Sequence, residues 1–269
     1  MGSIPMGAGL SSSAALEVAA AYAVLDILDA TIDKKEIARL CRKAEHKFAG
    51  TNCGLLDQFS SIFGREHGLI HSDFRSLEVS GVDLAEDIEF LVVNPKVKHS
   101  LADSPYNERR ERCEQAAAQL AEILPHKVTA LRDVSWEEFE SSKEQIGARA
   151  AQRAAHVVGE ITRVEKGVEL LSDDGLVAFG ELLFQSHQSS IDNFENSCPE
   201  LDVVVAAARE AGALGARLSG GGFGGAAIVM VHAAEAQAIG EKITAICKTK
   251  GIEPDIIEVT PSAGAAIIS

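Results

Sequence analysis

Residues 5–24 read PMGAGLSSSAALEVAAAYAV, and their types and spacing suit the binding of an anion. Gly7 and Gly9 permit positive φ and a close approach of backbone to a ligand, while Ser11, Ser12 and Ser13 stand where a helix would begin. Free N–H groups at such a start attract a phosphate. Two readings are open here: the serines cap a buried helix, or the glycines and serines together form a phosphate cradle. The capping box fails, because Leu16 and not an acid follows Ser13 by three. The Walker pattern lacks its lysine, and the dinucleotide fingerprint would need a third glycine where Ser12 stands, after a strand.

The elements that must position these residues are legible as patterns. AALEVAAAYAVLDILDA is a strong helix former, apolar nearly all round except at Glu17, Asp26 and Asp29, so the helix over 12–30 is expected to be covered on several sides. An amphipathic helix over 33–50 ends at Gly50. CGLLDQFSSIFG reads as a short helix, and GLIHSDFRSLEVS alternates as two strands do around a turn. IEFLVVNP is a buried strand stopped by Pro95 and opens a second domain. Helical periodicity runs over 107–124 and 145–187, and CPELDVVVAAAREA adds a further helix. ARLSGGGFGGAAIVMVHA is a glycine loop feeding a strand, and a helix followed by the strand DIIEVTPSAGAAII closes an α+β domain.

Composition excludes several function classes. The 269 residues are 46% hydrophobic, enough for a proper core, without an uninterrupted apolar run long enough to cross a membrane and without a secretion signal, which makes a cytoplasmic protein the expectation. The net charge of −15 repels phosphate backbones, so no nucleic-acid partner is expected. NERRERCE reads as a solvated helix face with Glu108–Arg112 and Arg110–Glu114 ion pairs at i,i+4. Five cysteines, Cys41, Cys53, Cys113, Cys198 and Cys247, lack metal or disulfide spacing and read as reduced thiols.

The run P-x-G-A-G-L-S-S-S-A resembles the phosphate-binding motif of the GHMP kinases. Further along, AEHKFAGTNCGLLDQFSSIFGREHGLIHSDFRSLE, VVNPKVKHSLADSPYNERRERCEQA, RAAHVVGEITR, ENSCPELD and GARLSGGGFGGAAIV are similar, in the family's order, to the galactokinases among them. The resemblance implies an α+β, two-domain fold. A ribosomal protein S5 domain 2-like unit would span residues 1–88, incomplete at its start, and a ferredoxin-like unit 89–269. It also implies ATP, Mg²⁺ and transfer of the γ-phosphoryl group to the anomeric hydroxyl of galactose, in a protein that is monomeric when complete.

Carried over residue by residue, the resemblance assigns the phosphate loop to Gly7, Ala8, Gly9, Leu10, Ser11, Ser12, Ser13 and Ala14. Ser13 and Glu45 would hold Mg²⁺. Asp57 would meet the sugar hydroxyl as general base or orienting acceptor, with Gly54 and Tyr106 beside the sugar, and Gly220, Gly221 and Gly222 would form the third-motif loop. Phosphoryl transfer needs an N–H-rich loop, a cation on few protein oxygens and one placed carboxylate, and these parts suffice. Asp57 falls in the first turn of its helix, where the dipole favours an acceptor over a strong base. His46, His99 and His187 read as structural. No segment resembles the family signature G-R-V-N-L-I-G-E-H-T-D-Y, so the chain is expected to start late, to expose its first helix and to self-associate. The alternatives are a non-catalytic sugar sensor, an inactive fragment and a related sugar kinase acting on N-acetylgalactosamine.

Overall fold

The computed structural model describes residues 4, 10–50, 53–97, 106–172 and 175–268, with the side chains of the helix beginning at Tyr106 described from Glu108 onward. Two units are present. The first is helical with a hairpin. Helix α1 (Ser12–Ile27) starts from Ser11, whose φ of 53° is left-handed, and no side chain caps it. It buries only Ala14 and Val18 and leaves Leu16, Val24, Ile27 and Leu28 exposed. The expectation of a helix covered on several sides is therefore corrected: α1 packs along one face against α2 (Lys34–Ala44) and α3 (Leu56–Phe63), and among the described residues nothing lies over its outer face.

Asp33 caps α2 by accepting the Lys35 N–H at 2.8 Å. The sequence predicts one helix up to Gly50, whereas the last turn, Glu45–Ala49, widens to i→i+5 pairing before Gly50 ends it at φ 71°. Such a widened turn is frequent at functional sites, and here it carries Glu45. Val18, Ile37, Ala38, Cys41, Phe59 and Ile62 close the core between the three helices. Strands β1 (Gly68–Asp73) and β2 (Glu78–Asp83) form the expected antiparallel hairpin.

The second unit is built on a four-stranded antiparallel sheet of β3 (Ile88–Asn94), β4 (Gly215–Leu218), β5 (Ala227–His232) and β6 (Asp255–Val259), in the order β4-β5-β3-β6. Numbered within the unit, this is second-third-first-fourth, the arrangement of a βαββαβ ferredoxin-like fold. Among the described residues, five α-helices lie between β3 and β4: α4 (Tyr106–Ile123), α5 (Trp136–Ser142), α6 (Ala148–Ser172), α7 (Leu176–Ser189) and α8 (Pro199–Ala211). Helix α9 (Ala236–Thr249) joins β5 to β6. The apolar faces of α8 and α9 cover the sheet through Leu201, Val204, Ile239 and Ile243 on Leu91, Val229 and Val231. The sequence pattern assigned no element to α5, yet it carries a capping box, with the Glu138 N–H donating to Ser135 Oγ at 3.2 Å and the Ser135 N–H to Glu138 Oε2 at 2.9 Å.

The closing strand is shorter than the sequence suggests. After Val259 the chain leaves the sheet and returns to the first unit, where the Gly264 N–H donates to Gly64 O and the Ala265 N–H to Ser61 O, both at 2.8 Å. A Cβ on Gly264 would sit 2.2 Å from Ile62 O, so only glycine allows this approach. The units are joined again by crossed ion pairs, Arg75–Asp133 at 2.6 Å and Arg132–Asp73 at 2.6 Å. Among the described residues no helix is long and apolar enough to cross a membrane. All five cysteines are free.

Candidate active site

The serines at the head of α1 do not cap it. Ser11 Oγ donates to Asp57 Oδ1 at 2.7 Å, and Ser13 Oγ donates to Glu45 Oε1 at 2.8 Å. Residues 46 and 32 positions apart in sequence are thereby brought to one place, the shared end of α1, α3 and the widened turn after α2. The left-handed Ser11 turns its hydroxyl away from its own helix, which leaves the first-turn N–H groups of α1 without a side-chain acceptor among the described residues. Ser13 is exposed, Asp57 is half-buried in the first turn of α3, and Glu45 is buried at 8% exposure.

Glu45 is held from behind. Its Oε2 accepts from Gln58 Nε2 at 2.9 Å and from the Cys53 thiol at 3.4 Å, and Gln58 Nε2 also reaches Glu17 Oε2 at 3.4 Å. Burial, and then the neighbouring Glu45, raise the Glu17 carboxyl above its ordinary range against the opposing Gln58 hydrogen bond. Burial first, then the charge of Glu45, push the Cys53 thiol up to about 11, so it stays protonated and donates. His46 donates to Cys53 O at 2.8 Å and pins the segment that leads to Gly54. Sequence reasoning missed Glu17, Cys53 and Gln58. The signal for Glu17 was its i+4 spacing from Ser13, which puts both on one face of α1.

Of the remaining predicted residues, Leu10 is half-buried, Ser12 opens α1, and Ala14 is buried where α1 meets its neighbours. Gly7, Ala8 and Gly9, together with His99 and the side chain of Tyr106, lie outside what is described. Gly54 is exposed, and a Cβ there would meet none of the described residues within 4 Å.

Gly220, Gly221 and Gly222 form the loop between β4 and β5. Gly220 and Gly222 have φ of 67° and 81°, and a Cβ on Gly222 would lie 2.1 Å from Asn196 O. Asn196 braces this loop, its side-chain amide donating to Gly221 O at 3.0 Å and its carbonyl accepting the Phe223 N–H at 2.6 Å. His187 is structural as expected: it is buried, and its Nδ1 accepts the Leu218 N–H at 3.2 Å. The expected Arg110–Glu114 and Arg112–Glu108 pairs form on α4.

The arrangement combines a helix N-terminus open to an anion, two serine–carboxylate pairs and carboxylates in excess of local cations. That donor set suits a nucleotide with a hard divalent cation. Comparison with known proteins gives the same class: residues 1–65 match the GHMP kinases N terminal domain and residues 168–249 the GHMP kinases C terminal domain.

Within that class the likeness is narrower. The chain is 41% identical over 268 residues to a galactokinase of Streptomyces coelicolor, covering 97% of this chain and 68% of the relative. It is 42% identical over 239 residues to a human galactokinase, covering 87% of this chain and 59% of the relative. A solved Lactococcus lactis galactokinase, complexed with galactose, matches with a TM-score of 0.90 at 32% identity, over 98% of this chain and 68% of that one. A homoserine kinase from Cytophaga hutchinsonii shares the fold, with a TM-score of 0.63 and 21% identity. The chain belongs to the galactokinase family.

Proposed function

We propose that this protein transfers the γ-phosphoryl group of ATP to the C1 hydroxyl of galactose, giving galactose 1-phosphate. The observation that carries the reading is the convergence of Ser11–Asp57 and Ser13–Glu45 at one helix start. The segment Gly7–Ser13 and the first-turn N–H groups of α1 bind the nucleotide phosphates, where the positive helix end meets their charge. Asp57 accepts the hydrogen of the sugar hydroxyl, and Ser11, donating to Oδ1, leaves Oδ2 for that task. Gly54 gives the hexose room, and Tyr106 opens α4.

Mg²⁺ fits the residues present. Ser13 and Glu45 offer two hard oxygens with no salt-bridge partner for Glu45 among the described residues, and a cation that keeps most of its waters needs few more. When bound, the ion neutralises charge on the terminal phosphates. The Gly220–Gly222 loop, braced by Asn196, shapes the site's border. We read the protein as cytoplasmic and monomeric.

The second reading is a sugar sensor that binds without turnover; an unaltered Ser13–Ala14 step favours the kinase. A coupled assay of ADP release tests both. Release that depends on galactose, and exceeds that with N-acetylgalactosamine, is expected. Binding of ATP and galactose without release would favour the sensor, and no binding of either would overturn the proposal.

A further inference from the structure

We infer that Gln58 is a positioning residue that makes Glu45 a one-oxygen ligand and so sets the preference of the Ser13–Glu45 pair for magnesium over calcium. The inference rests on the cation reading above and goes beyond it to selectivity. Gln58 is fully buried, one residue after Asp57 on α3. Its amide nitrogen has two hydrogens and two carboxylates before it, Glu45 Oε2 at 2.9 Å and Glu17 Oε2 at 3.4 Å. With the Cys53 thiol also donating to it, Glu45 Oε2 is occupied twice, whereas among the described residues Oε1 meets only the Ser13 hydroxyl. A hydroxyl can turn its hydrogen away and offer a lone pair to a cation; the held Oε2 has no such freedom.

The other end of Gln58 argues against a packing role. Its Oε1 is buried without a hydrogen-bond partner among the described residues, a state that costs about 1–3 kcal/mol. Methionine would fill the same volume without that cost but would take the donor away from Glu45 Oε2, so the hold on the carboxylates is what distinguishes glutamine here. What glutamine supplies is a neutral double donor between two carboxylates. A carboxylate restricted to one oxygen suits Mg²⁺, which takes near-octahedral ligands and keeps its waters, whereas Ca²⁺ favours more oxygens and two-oxygen carboxylates.

The test is the affinity of the non-hydrolysable ATP analogue AMP-PNP, measured by calorimetry in Mg²⁺, in Ca²⁺ and in EDTA. For the unaltered protein, Mg²⁺ strengthens binding more than Ca²⁺ does. Gln58→Met is expected to cut the Mg²⁺ gain about tenfold, the usual scale for loss of a ligand's supporting hydrogen bond, and to bring the two cations level. Affinity in EDTA stays unchanged, while the melting temperature falls modestly because Glu45 Oε2 loses a donor. Gln58→Glu, which repels Glu45 Oε2 where glutamine holds it, also levels the two cations and serves if the methionine variant does not fold. Both variants keeping the original Mg²⁺-to-Ca²⁺ ratio would overturn the inference while leaving the cation reading intact. An unaltered protein whose binding is the same in Mg²⁺ and EDTA would overturn the cation reading and this inference with it.

Discussion

The carboxylates at the head of α1 and those around Arg153 are treated in opposite ways. In the second unit Glu195 receives Arg153 at 2.5 Å and Arg149 at 2.7 Å, with Arg109 at 3.6 Å, and Arg153 is almost wholly buried. Hydrogen bonding from Arg153 first, and from Arg149, holds the Glu195 carboxyl down at about 2. Glu160 accepts from Arg163 at 2.5 Å and Ser186 at 2.7 Å; burial pushes its carboxyl up, but Arg217, Ser186 and Arg163 outweigh burial and the net shift is downward. In the first unit Glu17, Glu45 and Asp57 receive only amide, thiol and hydroxyl donors, and among the described residues none has a salt bridge. Neutralised carboxylates brace a fold. Carboxylates left with their charge unspent are available to a cation or to a substrate hydroxyl.

Substitutions in the two sets should separate activity from stability. Asp57→Ala is expected to lower galactose-dependent ADP release about a thousandfold, within the range for removing a placed acid–base group, while changing unfolding free energy by less than about 1 kcal/mol. Glu195→Ala is expected to do the reverse first: urea denaturation should show a loss of about 3 kcal/mol, because Arg153 is left buried without its partner. Equal destabilisation by both would erase the distinction.

Acid titration sharpens it by sign. Burial holds His156 down at about 4 from an ordinary 6.5, so the unfolded chain binds its proton first and stability falls as pH drops from about 6.5 through 4. Glu195, depressed from 4.5 to about 2, extends that loss below pH 4.5. Glu17, raised when folded, contributes in the opposite sense, its penalty fading as pH falls. Hydrogen exchange should therefore show α6 and α7 opening before α2 and α3 on acidification, and His156→Phe should flatten the upper part of the slope. The smallest effect belongs to Glu17→Gln, which removes a partly desolvated charge beside Glu45 and is expected to raise stability by about 0.5 kcal/mol. A loss there would mean that Glu17 is neutralised after all.

Much of this was legible in the sequence because it is local. Helix-forming composition marked α1, amphipathic spacing marked α2, and a short apolar run stopped by Pro95 marked the strand Ile88–Asn94, while the glycine–serine run and, by resemblance, GLLDQ supplied the candidate site residues. What escaped depends on contacts distant in sequence. Arg153 stands in a helix whose other arginines are more exposed, and only its meeting with Glu195, 42 residues on, makes it a core residue. Gln58 has an unremarkable place in a short helix until Glu45 and Glu17 arrive on either side of its amide. The apolar run of α1 could not say which of its faces would be covered. Helix α5 was different: Ser135 and Glu138 spelled its start, and its brevity and weak apolar pattern hid it.

The return of the chain to Ser61 and Gly64 makes the carboxyl-terminal stretch part of the scaffold under Asp57. Strand β6 and α3 become two ends of one short tether, so a shear of the four-stranded sheet is felt at the helix that aims the carboxylate.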